Sequence, residues 1–117
     1  MRLQWTTIAN QDLVRLHAFL HQVNSRAAIQ IVQQLVAAAE QLLIYPQLGE
    51  RLIEFSPRNV RRLIVGDYEM RYELTDTAIF ILGILHSSVY TFSNYRRVGR
   101  VSESVTRQIV LSVSGYG

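Results

Sequence analysis

The side chains best suited to acid–base or phosphate chemistry in this 117-residue chain are three histidines, twelve arginines and nine acidic residues; cysteine and lysine are absent. Without cysteine there is no disulfide framework, no thiol nucleophile and no cysteine-based zinc site. His17 and His21 stand four residues apart, a spacing that places two imidazoles on one helix face and can hold a metal. No glutamate follows His17, so the metalloprotease pattern is missing. The pair reads as two partly exposed helix histidines, and no resident metal or cofactor is expected. No glycine-rich phosphate loop occurs, and Gly115-Tyr116-Gly117 does not make one. Glu69 and Glu73 flank Arg71 at strand spacing, which reads as cross-strand ion pairing and not as a catalytic carboxylate pair. No serine has the context of a nucleophile.

The arginines form the remaining constellation. Arg61 and Arg62 are adjacent, Arg71 follows on the next apolar-patterned segment, and His86 closes a long apolar run. A tight turn at Gly66-Asp67 would bring Arg62 opposite Arg71 or its neighbours. A sheet face lined by arginine and tyrosine, Tyr68 among them, can hold phosphates, with His86 as a proton-transfer group near neutral pH. The plainer reading is a solvated sheet face with a capping histidine, and Glu69 and Glu73 would partly cancel the positive field. Arg96, Arg97 and Arg100 form a second basic cluster. The net charge of +3 and pI near 9.7 favour an acidic partner, nucleic acid or protein. Arginine in place of lysine favours planar, bidentate contacts.

These residues must be positioned by a small fold. Met1 to Trp5 is β-like. Thr6 stands where a helix N-cap belongs, and Ala9, Leu13, Leu16, Leu20 and Val23 recur at helical spacing, predicting a helix over residues 7–22. Asn24 or Ser25 caps a second helix over residues 25–44, with Ala28, Ile31, Val32, Leu35, Ala38, Ala39 and Leu42 as its apolar stripe. Pro46 ends it. So short a break between the helices demands an antiparallel hairpin. After Gly49 the period changes to two. Leu52 to Phe55 is a first strand candidate, Val60 to Val65 a second, and residues 68–75 a third. In the third, Tyr68, Met70, Tyr72 and Leu74 alternate with Glu69, Arg71 and Glu73, predicting one face in the core and one toward water. Ala78 to Leu85 is continuously apolar, as a strand covered on both faces should be. The expected class is α+β: an N-terminal strand, an antiparallel two-helix hairpin, then a three-stranded antiparallel meander, all in one antiparallel sheet. Leu13, Leu16, Leu20, Leu35, Leu42, Met70, Ile81 and Ile84 are expected in the core.

Length and composition suit one globular domain, residues 1–86, with 87–117 as a less regular C-terminal extension. No apolar run approaches the ~18 residues of a membrane span, and Met1-Arg2-Leu3-Gln4-Trp5 lacks the apolar core of a signal peptide. A cytoplasmic protein with no membrane partner is the expectation.

Taken in order, Trp5-Thr6-Thr7-Ile8-Ala9-Asn10-Gln11-Asp12-Leu13, Asn24 with Ala27-Ala28, Pro46-Gln47-Leu48-Gly49, Arg62-Leu63, Tyr68-Glu69-Met70-Arg71-Tyr72 and Ile79 to His86 resemble the RelE/ParE superfamily of type II toxin–antitoxin toxins. The resemblance covers residues 3–86 and implies the small α+β toxin fold. It implies a toxin of a plasmid-stabilisation module held by a cognate acidic antitoxin. ParE-like members poison DNA gyrase; RelE-like members cut mRNA on the ribosome. In many relatives an arginine follows the tyrosine matching Tyr68, and here Glu69 stands there; the lysines common in nuclease members are also missing. That favours the ParE-like, non-hydrolytic branch. The implied target- or antitoxin-binding residues are Arg61, Arg62, Tyr68, Arg71, His86, Arg96 and Arg97. In the nuclease alternative Arg62, Arg71 and His86 would be catalytic. A third reading is a toxin-fold binding protein without poison activity. Related chains commonly stop near His86, and the expected alternatives for the tail are packing on the sheet, joining an oligomer such as a homodimer, or no role at all.

Overall fold

The computed structural model describes residues 1–87; Arg96, Arg97 and the predicted extension beyond Ser87 lie outside the described residues. The elements follow in the order β1 (Arg2–Trp5), α1 (Thr7–His21), α2 (Ser25–Gln41), β2 (Glu50–Arg51), a single 3-10 turn (Ile53–Phe55), β3 (Val60–Val65), β4 (Tyr68–Leu74) and β5 (Ala78–His86). The five strands form one sheet in the order β1-β5-β4-β3-β2. The helical hairpin packs on one face of it.

Both helix starts follow the capping residues. The Thr6 hydroxyl accepts from the Ala9 N–H at 3.1 Å, and the Asn24 side chain accepts from the Ala27 N–H at 3.1 Å. α2 ends at Gln41, three residues before the predicted boundary. There the chain tightens into i→i+3 turns, with Leu43 N–H donating to Glu40 O and Ile44 N–H to Gln41 O ahead of Pro46.

Two expectations about the sheet are corrected. β1 runs parallel to β5, pairing Arg2 with Ala78 through Trp5 with Ile81, so the sheet is mixed. The direction follows from topology: β1 leads into the hairpin, and the chain returns beside it only after the meander. The strand expected at Leu52 to Phe55 is also displaced. The pairing residues are Glu50 and Arg51, opposite Arg62 and Arg61. Leu52 donates its N–H to Val60 O at 2.8 Å and buries its side chain. The next residues then coil into the 3-10 turn, leaving Ile53 76% exposed, because the chain must reverse at once to enter β3.

The core holds Leu16, Leu35, Leu42, Met70, Ile81 and Ile84 as expected. Leu13 and Leu20 pack against it half-buried. Tyr72, fully buried, is the largest core side chain. Its hydroxyl donates to Pro46 O at 2.7 Å and accepts from the Gly49 N–H at 2.9 Å, fixing the loop that follows α2. Gly49 sits so close that a Cβ there would lie 2.6 Å from Arg62 O and 2.8 Å from the Tyr72 ring. The Pro-x-x-Gly spacing is therefore a docking requirement on Tyr72. Tyr72→Phe leaves the buried Gly49 N–H unpaired and should destabilise the fold by about 1–3 kcal/mol; urea unfolding measures it, and a loss within a few tenths of a kcal/mol would contradict the role assigned to the hydroxyl.

Candidate functional site

Because β3 and β4 join through a two-residue turn with Gly66 at φ +61°, the register is fixed: Val65 faces Tyr68, and Arg62 faces Arg71. Cross-strand partners share a face, so Arg62, Arg71 and Glu69 lie together on the side of the sheet away from the helices. This face is not the solvated surface predicted from the alternation. Glu69 is 0% and Arg71 4% exposed. Burial of such groups is tolerated only with close partners. Arg71 Nε donates to Glu69 Oε2 at 2.8 Å, Arg62 Nη1 reaches Glu69 Oε1 at 3.5 Å, and Arg62 also pairs with Glu50 at 2.9 Å. The Phe55 ring lies over the Arg71 guanidinium at 5.8 Å. Glu73, the other acid of this face, pairs with Arg58 at 2.9 Å. Burial pushes the Glu69 carboxyl above the usual glutamate range, with the Arg71 hydrogen bond and charge, then Arg62, pulling the other way.

Among the described residues, the other predicted site residues, Arg61, Tyr68 and His86, do not join this cluster. Arg61 pairs with Tyr72 in register and so lies on the helix side. Its guanidinium donates to Gly49 O at 2.8 Å and to Asn59 Oδ1 at 3.0 Å, which ties down the loop ends. His86 is opposite Tyr68, with the two rings edge-to-face at 5.2 Å. Tyr68 is half-buried, and desolvation, then Asp67, raises its phenol.

The separation of His86 from the arginines has one cause. From the β4–β5 turn the pairing runs Leu74 with Ile79, Glu73 with Phe80 and Tyr72 with Ile81, but then Arg71 with Gly83. Leu82 is an extra residue in β5, a bulge. A one-residue slip moves every later side chain to the other face. Before it, Ile79 and Ile81 face the helices; after it, Ile84 and His86 do. Without the bulge His86 would share the face of Glu69 and Arg71.

The bulge is held by two side chains from α1 and its cap. Thr6 Oγ1 donates to Ile81 O at 2.7 Å, and Asp12 Oδ2 accepts from the Ile84 N–H at 3.0 Å. Asp12 is 4% exposed and was not among the predicted site residues. Its signal was available: a lone acid set three residues after Ala9 and four before Leu16, in the middle of the apolar stripe. Among the described residues no three His, Asp or Glu side chains gather as a metal site, and no helix is long and apolar enough to cross a membrane.

These features define a class: a small α+β domain whose polar face is closed by ion pairs, with exposed apolar side chains on its helical side and no assembled nucleophile or metal centre among the described residues. Residues 3–89 match the family described as ParE toxin of type II toxin–antitoxin system, parDE. The chain belongs to that family, and it is a type II toxin. Among solved structures it is similar to a chain of the "Chromosomal ParDE TA system from P. aeruginosa", with a TM-score of 0.63 at 24% identity, over 74% of this chain and 95% of that one. That likeness speaks to the fold. A comparison with curated proteins gives no match.

Glu69 provides a test of the polar face. A carboxyl whose value rises on folding favours the protonated form, so the native state binds more protons than the unfolded one. Its contribution to stability is full below the unfolded value and is lost as pH rises through the raised native value. The unfolding free energy of the wild type minus that of Glu69→Gln should therefore fall across that window and level off above it. A difference that grows with pH would mean the arginines outweigh burial.

Proposed function

We propose that this toxin acts as a ParE-like poison of DNA gyrase, without hydrolytic chemistry, and is neutralised by an acidic antitoxin. The observation that carries the reading is the division of the candidate nuclease groups between two faces of the sheet. Cleavage of RNA needs positive charge aimed at the phosphate and a proton-transfer group within hydrogen-bond reach of the reacting oxygen. Here Arg71 and Arg62 are engaged with the buried Glu69 carboxylate on one face. The bulge at Leu82 carries His86 to the other, against Tyr68. An acid inside the arginine cluster opposes an incoming phosphate. A poison that works by holding a protein target needs surface, not an assembled acid–base pair.

The partner reading rests on charge and exposure. The chain carries +3. Leu43, Ile44, Tyr45 and Leu48, just after α2, are all at least 42% exposed. Ile44 also lines a shallow groove with Ala37 and Ala38 of α2. An acidic segment with apolar anchors that orders on binding would satisfy both features.

Two measurements check this. Purified toxin should inhibit supercoiling by gyrase, His86→Ala should retain that inhibition within about twofold, since no step in the reading rests on proton transfer, and neither protein should cut mRNA on ribosomes. Ribosome-dependent cleavage by the wild type that disappears in His86→Ala would establish the RelE-like nuclease instead; absence of both activities would leave a binding protein. Separately, the acidic product of a neighbouring gene should copurify with the toxin and relieve its growth inhibition. The pair Ile44→Asp and Leu48→Asp should weaken the complex, and unchanged copurification would move the partner elsewhere.

A further inference from the structure

One pair of side chains takes no part in the toxin site. His17 and His21 stack nearly parallel on α1, with ring centroids 5.6 Å apart and an interplanar angle of 19°. His21 is exposed and His17 partly so. They are one helical turn apart and occupy the same stripe. The residues three or four positions from either ring are Leu13, Val14, Ala18, Leu20, Asn24 and Ser25, none of them charged. No arginine on that stripe repels a cation. His21 is also the last residue of α1, where the carbonyl end of the helix favours positive charge.

We propose that His17 and His21 form a two-imidazole chelate for a divalent transition-metal ion of the Zn²⁺, Ni²⁺ and Cu²⁺ class. Imidazole is the ligand these ions share. Metal–nitrogen bonds near ~2.0–2.1 Å require the two donor nitrogens to approach to roughly 3 Å. The stacked rings reach this by side-chain rotation alone, because the backbone spacing of one turn is already correct. Among the described residues no third histidine or carboxylate completes the shell. The remaining positions are therefore left to water or to a ligand brought by another molecule. This makes the site an exchangeable chelate and not a structural centre. It stands independently of the gyrase reading.

The test uses the full, untagged chain and Cu²⁺ alone. Calorimetric titration should show saturable binding of one ion per chain, and electron paramagnetic resonance should show two nitrogen ligands. His17→Ala and His21→Ala should each weaken binding by about 10²-fold, the loss expected when a second, tethered ligand is removed, and each should leave a one-nitrogen spectrum. Both residues are at the helix surface, so far-UV circular dichroism should be unchanged in the variants. Absence of saturable binding, or full-affinity binding in either variant, would overturn the proposal.

Discussion

β5 has too short a neighbour, and the molecule is arranged around that deficit. β1 pairs with it only from Ala78 to Ile81, while β5 continues as a largely buried apolar strand to His86. A buried edge cannot leave its amide groups unpaired. Thr6 and Asp12 fill the gap, one on the Ile81 carbonyl and one on the Ile84 N–H, on either side of the bulged Leu82. The same Thr6 hydroxyl starts α1. The helix thus begins where the edge strand stops, and its first two turns lie along the strand they replace. That contact orients α1 and, through the short Gln22-Val23-Asn24 break, α2. Tyr72 fixes the other end of α2 to the sheet through Pro46 and Gly49. Three side chains, Thr6 and Asp12 at one end and Tyr72 at the other, therefore set the pose of the whole hairpin.

Much of this was legible in the sequence because it rests on local chemistry. Thr6 and Asn24 are capping residues, the apolar spacing changes from helical to alternating after Gly49, and Gly66-Asp67 names its own turn. The pairing of Arg62 with Arg71 followed from that turn. What escaped depended on partners distant in sequence. No pattern within Leu3-Gln4-Trp5 records whether its neighbour runs parallel or antiparallel. Alternating Glu69, Arg71 and Glu73 look like a wet face, because alternation reports polarity and not pairing; the buried ion pair is visible only once Arg62 and Phe55 arrive from other segments. The single extra residue at Leu82 lies within a uniformly apolar run, where no change of period marks it. It alone decides which face His86 occupies. The sequence-level grouping of histidine with arginines failed at that residue.

The polar face also shows how a buried acid alters what its neighbouring arginines can offer. Arg71 beside a solvated neutral residue would be an available cation. Beside Glu69, inside the protein, it is one half of a dipole whose field falls off quickly. With Arg62 and Glu50 adjoining, an approaching anion meets a balanced cluster of charges in place of a lone cation. Specificity of this kind comes from desolvation as much as from charge, since an intruding phosphate must compete with a carboxylate already in place.

Pairing the first strand with the last has a kinetic meaning. Arg2 and Ala78, the first rung of the β1–β5 ladder, are separated by almost the whole described chain. Long-range parallel contacts of this sort close late, because the loop entropy is lost before the contact is gained. During synthesis β1 remains an unpaired strand while the hairpin and β3–β4 are already able to form. A chain interrupted before Ala78 has no partner for β1, and one interrupted before Ile84 leaves Asp12 without its amide. Completion of the sheet thus waits for the last strand, and the emergence of β5 sets the earliest moment at which the fold can close.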